Sequence, residues 1–413
     1  MKQKRAVIAG LFVSGMLCTH GEQIVEDLGN FPNSQITQVV PIAVSDDGSV
    51  VVGNGVDSVF NDNTNQYDNF ETGFRWEKST GMVGLGNSPS EAWKAQAVSG
   101  DGQIIAGVTI APTLYLNAGE TTRYIDGMGY VGAISGDGTT LVGSGGPFPR
   151  HFLILKNLSV EKITDLKSTL SPDDPYNDAI PMAISYQGNI IAGSMDTSAF
   201  RLKDEVMTTA RNDASDLNTI PRAMNSEGSL IVGVRTTSGF LKRGFTWDGA
   251  SSNVSDLPLG TYNQTEAKDV SGDGSIIIGE GIDGFSRRFA IKWVWEQNAY
   301  QGPMLLGDDG TNTISGFSIT SANAISRDGT VIVGTGSYGS GGSNMGYRLI
   351  LDAVVWSGLW EVAEDNVSVD TGKFLGWIDV SSPPWVFIYA LGKWAYLPEE
   401  FVSEAGGWAY LGQ

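Results

Sequence analysis

Acidic residues are the side chains with the widest scope for chemistry in this sequence, because the alternatives are scarce. The 413 residues include 46 Asp and Glu but only two His and one Cys. His151 stands in a Gly- and Pro-rich segment, and neither a G-x-S-x-G nucleophile elbow nor an H-E-x-x-H zinc motif is present. The residues needed for Ser–His or zinc-dependent hydrolysis are therefore missing. Catalysis by a pair of carboxylates, as in glycosidases, remains an alternative.

One short segment has the spacing of a calcium loop. Asn61, Asn63 and Asn65 alternate as calcium ligands do, and Asp68 is near enough to add a carboxylate. Gln66 stands where such a loop needs Gly, so a solvated insertion loop is the alternative interpretation. Calcium is the one cofactor that the sequence suggests.

A Ser/Asp/Gly pattern recurs seven times. It reads small–apolar–Ser–x–Asp–Gly, then apolar residues and a closing Gly, at residues 43–53, 97–107, 133–143, 183–193, 223–233, 269–279 and 324–334. In a hairpin loop of this length Gly adopts the left-handed conformation and Ser bonds to the turn backbone. We therefore predict structural turns, not catalytic sites, at Asp47, Gly48, Asp101, Gly102, Asp137, Gly138, Gly188, Gly228, Asp273, Gly274, Asp328 and Gly329.

The elements around these turns repeat as well. An aromatic strand such as 73–76 and a Leu-Gly strand such as 82–86 follow the first hairpin, giving four strands per unit. We assign residues 123–125 and 353–356 as the aromatic strands of the second and seventh units. Continuously apolar return strands such as 50–52 indicate sheets that are covered on both faces.

The spacing of the units predicts the fold. They begin 36 to 55 residues apart, and four-strand units with this period are typical of propeller blades. We predict an all-β protein: a seven-bladed β-propeller with four-stranded blades, closed by a strand at residues 24–29, plus a small C-terminal aromatic β-hairpin module.

The two ends of the chain differ from the repeats. Lys2, Lys4 and Arg5 precede an apolar run at residues 6–18, as in a secretory signal peptide. We predict a secreted or cell-surface protein without a transmembrane span after cleavage. The predicted domains are a signal peptide at 1–21, the propeller at 22–362 and a Trp-rich module at 363–413. Its tryptophans either form a small core or bind sugar rings: Trp377, Trp385, Trp394 and Trp408.

The repeats resemble a known family. The Ala-x-Ser-x-Asp-Gly hairpin, followed by Phe-x-Trp and Leu-Gly, is similar to the HAF repeats of bacterial extracellular proteins over residues 43–362. The resemblance implies an exported, propeller-like protein. The tail resembles the Trp-rich modules that end secreted proteins of marine bacteria. It is also similar to choline-binding repeats, but Ala395 and Ala409 stand where those repeats have an aromatic residue.

These observations predict a class of function. The net charge of −20 argues against nucleic acid as a partner. We predict an exported non-enzymatic interaction or surface protein that binds a glycan or protein ligand through propeller loops. The alternatives are a polysaccharide-active hydrolase or lyase with acidic residues at the channel, and a structural component of the cell envelope.

Overall fold

In a computed structural model of the chain, strands carry the regular structure. The structure describes residues 22–32, 34, 38–62, 64–86, 93–109, 113–118, 121–126, 129–145, 151–156, 163–165, 179–211, 216–307, 317–338, 345–353, 355–356, 360–361, 368–370, 377–382, 385–388, 393–396, 402–403, 406–407 and 410–411. Across these ranges no helix has the length and apolar character to cross a membrane. The signal peptide predicted at residues 1–21 lies outside them.

Residues 24–351 form one compact unit, in which the repeats make seven four-stranded antiparallel sheets. This confirms the predicted all-β propeller. Six blades use four consecutive strands, and the seventh is completed by the N-terminal strand. Return strands are buried on both faces, as the fully buried Val51 and Val52 illustrate.

The six blades of consecutive strands follow one another along the chain. Blades 1 to 3 are β2–β5 (Val39–Val44, Val50–Asn61, Gln66–Glu77, Gly81–Gly84), β6–β9 (Trp93–Val98, Ile104–Thr109, Thr113–Ala118, Thr121–Asp126) and β10–β13 (Tyr130–Ile134, Thr140–Gly145, His151–Lys156, Ile163–Asp165). Blades 4 to 6 are β14–β17 (Ala179–Ile184, Ile190–Met195, Ser198–Lys203, Val206–Ala210), β18–β21 (Asn218–Met224, Ile231–Thr236, Lys242–Trp247, Ser255–Asp256) and β22–β25 (Gln264–Val270, Ile276–Ile282, Arg288–Glu296, Ala299–Leu305).

Blade 7 closes the ring by joining the two ends of the unit. It contains β26 (Phe317–Ile325), β27 (Val331–Tyr338), β28 (Met345–Ala353) and, on its outer edge, β1 (Glu22–Asp27). The Leu28 amide donates to the Gly346 carbonyl at 3.0 Å, and the Arg348 guanidinium pairs with the Glu26 carboxylate at 2.8 Å. The predicted pairing of the N-terminal strand with the last blade is therefore confirmed.

The closing Gly of each repeat makes room for the aromatic strand. Gly53 is the register partner of Phe74, and a Cβ on Gly53 would lie 2.7 Å from the Phe74 ring. The same pairing joins Gly193 to Phe200 and Gly233 to Phe245. The ring therefore occupies the space that a side chain on the glycine would need, which explains why both residues recur.

Two of the predicted aromatic strands are wrong. In blade 2 the partner of Gly107 is Tyr115 on β8, while residues 123–125 lie on the outer strand β9. In blade 7 the partner of Gly334 is Tyr347 on β28, and residues 355–356 belong to a separate hairpin. Tyr stands in place of Phe in both strands, so the Phe-x-Trp pattern does not identify them.

The described residues from 352 onward belong to a second compact unit. The domain boundary predicted after residue 362 lies within it. Its largest sheet has five antiparallel strands in the order β31-β32-β33-β34-β37, namely Ser368–Asp370, Trp377–Ser382, Trp385–Ile388, Lys393–Tyr396 and Tyr410–Leu411. Two short hairpins accompany it: β29–β30 (Val355–Trp356, Trp360–Glu361) and β35–β36 (Val402–Ser403, Gly406–Gly407).

Candidate binding channel

The repeated Ser and Asp side chains form hydrogen bonds that stabilise the turns in which they lie. Ser45 Oγ donates to Asp47 Oδ1 at 2.7 Å and accepts the Val50 amide at 2.9 Å. Asp47 Oδ1 also accepts the Ser49 amide, and Gly48 has φ of +72°. The six equivalent glycines named above as turn residues all have positive φ. These Ser–Asp pairs hold hairpins and are not available as nucleophile and base.

Where a repeat lacks the Asp, a neighbour supplies the missing acceptor. In blade 4, Ser185 Oγ donates to Asn189 Oδ1 instead. In blade 5, Asn225 Oδ1 accepts the amides of Ser229 and Leu230. The turn therefore survives the replacement of Asp by Gln187 or Glu227.

Backbone hydrogen bonds join the seven turns into a closed ring at one end of the central channel. Each turn donates an amide to a carbonyl of the next blade, at 2.7 to 3.2 Å. The bonds run Asp46→Gly100, Gly100→Gly136, Asp137→Tyr186, Tyr186→Ser226, Ser226→Gly272, Gly272→Arg327 and Asp328→Asp46. The last of these closes the circle between blades 7 and 1.

Three large side chains lie at this ring of turns. The Arg327 guanidinium stacks 3.5 Å from the centre of the Tyr186 ring, a close cation–π contact. Burial raises the pKa of Asp46, and Arg327 opposes part of that rise. Gly100, Gly136 and Gly272 accommodate the side chains of Asp46, Tyr186 and Arg327 respectively.

A β-bulge in every inner strand turns one residue toward the channel. The register of each inner strand shifts by one residue beside the repeat, as it does between Pro41 and Ala43, and a bulge of this kind redirects the extra residue. The channel cavity measures about 280 Å³. All seven bulge residues line it: Ile42, Gln96, Gly132, Met182, Arg222, Lys268 and Asn323.

Cations converge where the channel opens away from the turns. A pocket of about 340 Å³ is lined there by Lys94, Arg222 and Lys268, with Gln96 and Tyr130 beside them. Burial raises the pKa of the Tyr130 phenol, and the positive charge of Arg222 lowers it in part. Charges from blades 2, 5 and 6 thus surround one opening, which we call the channel mouth.

Behind the mouth, four cations share two glutamates. Glu266 pairs with Arg222 at 2.8 Å and with Lys242 at 2.7 Å. Glu280 pairs with Lys268 at 3.8 Å and with Arg288. The two glutamates are buried register partners on β22 and β23. Because like charges repel at that position, the pair depends on the cations, and the cluster as a whole keeps two excess positive charges.

Ion pairs offset the cost of burying the charged groups in this cluster. Burial raises the pKa of Glu266, but Lys242 and Arg222 outweigh it and hold that pKa below its usual range. Burial lowers the pKa of the Lys268 ammonium, and Glu280 offsets part of that effect. Burial disfavours the charged form of Lys268, and an anionic ligand at the mouth would stabilise that charge.

Asp269 sets blade 6 apart from the others. It occupies the first position of the repeat, where the other six blades have Ala, and it lines the channel. Its carboxylate accepts the amides of Val270 at 2.8 Å and of Ile325, in blade 7, at 2.9 Å. Burial raises the pKa of Asp269 to about 7.

Exposed aromatic side chains stand on loops of the same face as the channel mouth. Because neighbouring strands of a blade are antiparallel, the loops between second and third strands lie opposite the repeat turns. We call this the loop face and the other the hairpin face. Phe240 is 76% exposed and Phe285 is 83% exposed at two such loops. Phe60 and Tyr67 form an edge-to-face pair at a third, with ring centres 5.3 Å apart.

The predicted calcium segment lies at the tip of the β3–β4 hairpin. Asn61 Nδ2 donates to Asp68 Oδ2 at 2.6 Å, and Asn65 has φ of +51°. Asn61 thus presents its nitrogen to the carboxylate, and nitrogen of an amide is not a calcium ligand. Asn63 lies outside the described residues. Calcium binding at this tip remains a prediction.

The predicted aromatic ligand-binding residues fall on the second unit. Trp377, Trp385 and Trp394 lie on β32, β33 and β34, whereas Trp408 lies outside the described residues. In register, Trp394 pairs with Phe387 and Trp385 with Tyr396. A sugar-binding role for them remains a prediction. His151 is the first residue of β12, paired with Gly145.

The channel mouth is not among the sites predicted from the sequence. Its key residues, Arg222 and Lys268, directly precede the repeat, and no residue type recurs at that position. The signal that could have found them is positional: the residue before each repeat faces the channel because of the bulge. Two cations fall there, in adjacent blades of an acidic chain.

Comparison with known proteins shows the fold. No protein-family model matches the sequence, and no curated protein matches it. Oligogalacturonate lyase from Vibrio parahaemolyticus is similar at TM-score 0.52 and 12% identity, covering 80% of this chain and 98% of that one. A chain of the mitotic checkpoint complex is similar at TM-score 0.50 and 13% identity, covering 84% and 99%.

TolB from Acinetobacter baumannii is a more distant match, at TM-score 0.41 and 12% identity. The alignment covers 74% of this chain and 64% of TolB, so this chain spans less than two thirds of that protein. At these identities the similarities establish the propeller architecture alone.

Proposed function

We propose that this chain is an exported, non-enzymatic binding protein that takes an anionic glycan at the channel mouth. One observation carries the proposal: four cations share two carboxylates behind the mouth, and Arg222 and Lys268 line the opening. In a chain with net charge −20, this local excess of positive charge favours an anionic ligand by electrostatic complementarity.

The shape and chemistry of the mouth favour a glycan over a folded protein. A pocket of about 340 Å³ is at the small end of ligand sites, so it admits a sugar unit but not a protein surface. Arg222 and Lys268 suit a carboxylate, while the Gln96 amide and Tyr130 hydroxyl suit sugar hydroxyls.

Export is the second part of the proposal. It is supported by the signal-peptide pattern at residues 1–21 and by the resemblance of the repeats to HAF repeats. Fractionation of producing cells tests it: we expect the protein in the medium or accessible to protease at the cell surface. Recovery of the uncleaved chain in the cytoplasm alone would contradict export.

Binding is tested with an acidic oligosaccharide and its neutral counterpart. The probes are tetragalacturonate and the tetrasaccharide obtained by reducing its carboxyl groups, titrated by calorimetry. We expect the reduced sugar to bind at least about tenfold more weakly, since it lacks the charges that pair with Arg222 and Lys268. Equal binding of the two sugars, or no binding of either, would contradict the proposal.

A matched pair of double variants separates the site from overall charge. Arg222→Gln with Lys268→Gln removes two of the three cations that line the mouth, yet leaves each glutamate one partner. Lys242→Gln with Arg288→Gln changes the net charge equally but affects the far side of the cluster. We expect about a tenfold loss of tetragalacturonate affinity for the first variant and less than about threefold for the second. Equal losses would indicate a general charge effect.

Asp269 favours a polysaccharide-active enzyme as the second candidate. A channel carboxyl with a pKa of about 7 has the value expected of a general acid or base near neutral pH. The same tetragalacturonate solution serves as the assay. Cleavage of the sugar that disappears in Asp269→Ala would replace the binding proposal with this one.

A further inference from the structure

A second cavity lies on the hairpin face, between blades 5 and 6. It measures about 590 Å³, well within the range of ligand pockets. One wall is the loop between β20 and β21, with Asp248 and Ser255, and the other wall is Trp295 and Tyr300 at the β24–β25 turn. We call this cavity the interblade groove. Its residues are different from those of the channel mouth.

An aromatic platform forms one side of the groove. Trp295 is 48% exposed, and its ring meets that of Tyr300 edge to face, with centres 4.9 Å apart. The Trp295 amide donates to the Ser275 carbonyl at 2.8 Å, and the Tyr300 hydroxyl donates to the Gly274 carbonyl at 2.6 Å. These bonds hold the Trp295 backbone and the Tyr300 ring, and the Trp295 ring rests against Tyr300. This contact reduces the side-chain entropy that is lost on binding.

Two fixed carboxylates line the groove together with the platform. Asp248 Oδ1 accepts the Ala250 amide and both the amide and the hydroxyl of Ser251. Asp273 Oδ1 accepts the Ser271 hydroxyl and the Ser275 amide. These bonds lower the pKa of both carboxyls despite some burial. Each group therefore stays ionised near neutral pH and offers Oδ2 as an acceptor.

We propose that the interblade groove binds a neutral pyranose sugar stacked on Trp295, with its hydroxyls donating to Asp248 and Asp273. A pyranose ring has an apolar C–H face that packs on an aromatic ring and hydroxyls that donate to carboxylates. The two carboxylates exclude an anionic ligand, in contrast to the channel mouth. A quaternary ammonium ligand is normally enclosed by several aromatic faces, whereas here one open face is available.

The test is affinity electrophoresis of the full chain in gels that contain hydroxyethylcellulose, laminarin or glucomannan. We expect retardation in at least one of these neutral glycans, and a loss of at least about tenfold in apparent affinity for Trp295→Ala. Asp248→Asn, which keeps the size of the side chain, should weaken binding in the same gel. Phe285→Ala, an exposed aromatic on the loop face, is the matched control and should bind like the wild type.

Several results would overturn the proposal. They are the absence of retardation in all three gels, equal retardation of the wild type and Trp295→Ala, and equal losses for Trp295→Ala and Phe285→Ala. Trp295-dependent binding of choline chloride in a fluorescence titration, stronger than that of the glycan, would also overturn it. Urea unfolding of each variant shows whether a loss reflects the groove or the fold. The channel-mouth variants should bind these neutral glycans normally, so the two proposed sites fail independently.

Discussion

At the scale of single residues, the repeat fixes the backbone and leaves the chemistry to the positions beside it. Ser45, Asp47 and Gly48 bond to one another and to their own turn, so the turn uses the Ser hydroxyl and Oδ1 of the Asp. The bulge residue that precedes the repeat is unconstrained by the turn and points into the channel. Function in such a protein can change at Arg222 or Lys268 without removing any hydrogen bond of the turn itself.

The turn glycines should differ in their tolerance of a side chain according to the next blade. Gly48 and Gly29 both have φ of +72°, but a Cβ on Gly48 would lie 2.6 Å from Val331 Cβ, whereas nothing lies within 4 Å of one on Gly29. We expect Gly29→Ala to cost about 1 kcal/mol of unfolding free energy from the left-handed backbone alone. Gly48→Ala should cost about 1–3 kcal/mol more from overpacking. Urea denaturation measures both, and equal costs would contradict this account of the blade contact.

Asp269 should make the stability of the protein depend on pH. Its pKa is raised from 3.8 to about 7 in the folded state, so the folded state binds the proton more tightly than the unfolded state. Stability from this group is present below pH 3.8 and is lost as the pH rises from there to about 7. Asp269→Ala, which installs the residue of the other six blades, should abolish this component.

Urea denaturation of both proteins at pH 5 and pH 8 checks the sign. The unfolding free energy of the wild type should fall more between these values than that of Asp269→Ala. A wild type that gains stability relative to the variant as the pH rises would show that the carboxylate is favoured in the folded state. In that case the two backbone amides would outweigh burial.

At the scale of secondary-structure elements, the features that could be predicted from the sequence are those that a local pattern of residues determines. Each hairpin was predictable because Ser and Gly are needed at fixed spacing within a few residues. The third strands of blades 2 and 7 were not, because Tyr115 and Tyr347 are defined by their partners Gly107 and Gly334 across the sheet. The bulges were equally hidden, since their residues range from Gly132 to Arg222 and share no property.

One element-level contact recurs between blades. The Arg that follows the aromatic residue in the third strand donates to the turn-glycine carbonyl of the next blade in three places: Arg75 to Gly102, Arg201 to Gly228 and Arg348 to Gly48. The third of these joins blade 7 to blade 1. Since Arg348 also pairs with Glu26 on β1, one side chain connects three elements at the closure of the ring.

Arg348→Met should therefore destabilise the ring strongly. The Arg348 side chain is only 11% exposed, and its loss leaves Glu26 and the Gly48 carbonyl without this partner. We expect a cost of about 3 kcal/mol in urea denaturation. Arg287→Met is the control, because Arg287 pairs with Asp283 at 2.7 Å but is 66% exposed, and about 1 kcal/mol or less is expected there. Similar costs for the two variants would contradict a special role at the closure.

At the scale of the whole molecule, closure turns seven marginal sheets into one structure. Each blade buries its faces only against its neighbours, as the core cluster shared by Ile231 of blade 5 and Ala192 of blade 4 shows. The backbone bonds between the turns form a closed circle. The pairing of β1 with β28 joins the first strand of the unit to its last blade. An open array would instead leave the edge strand β28 unpaired, and unpaired edges promote aggregation.

Removal of the second unit and removal of β1 should therefore have different effects. A chain of residues 22–351 keeps all seven blades and β1, and we expect it to unfold in one cooperative transition by circular dichroism. A chain of residues 30–351 lacks β1 and the Glu26 partner of Arg348. It should unfold at a lower temperature and over a broader range, and form oligomers on gel filtration through the exposed edge of β28. If the shorter chain were monomeric and equally cooperative, the ring would be held by its inner turns alone, and the N-terminal strand would be an accessory to a closure already made by the bond from Asp328 to Asp46.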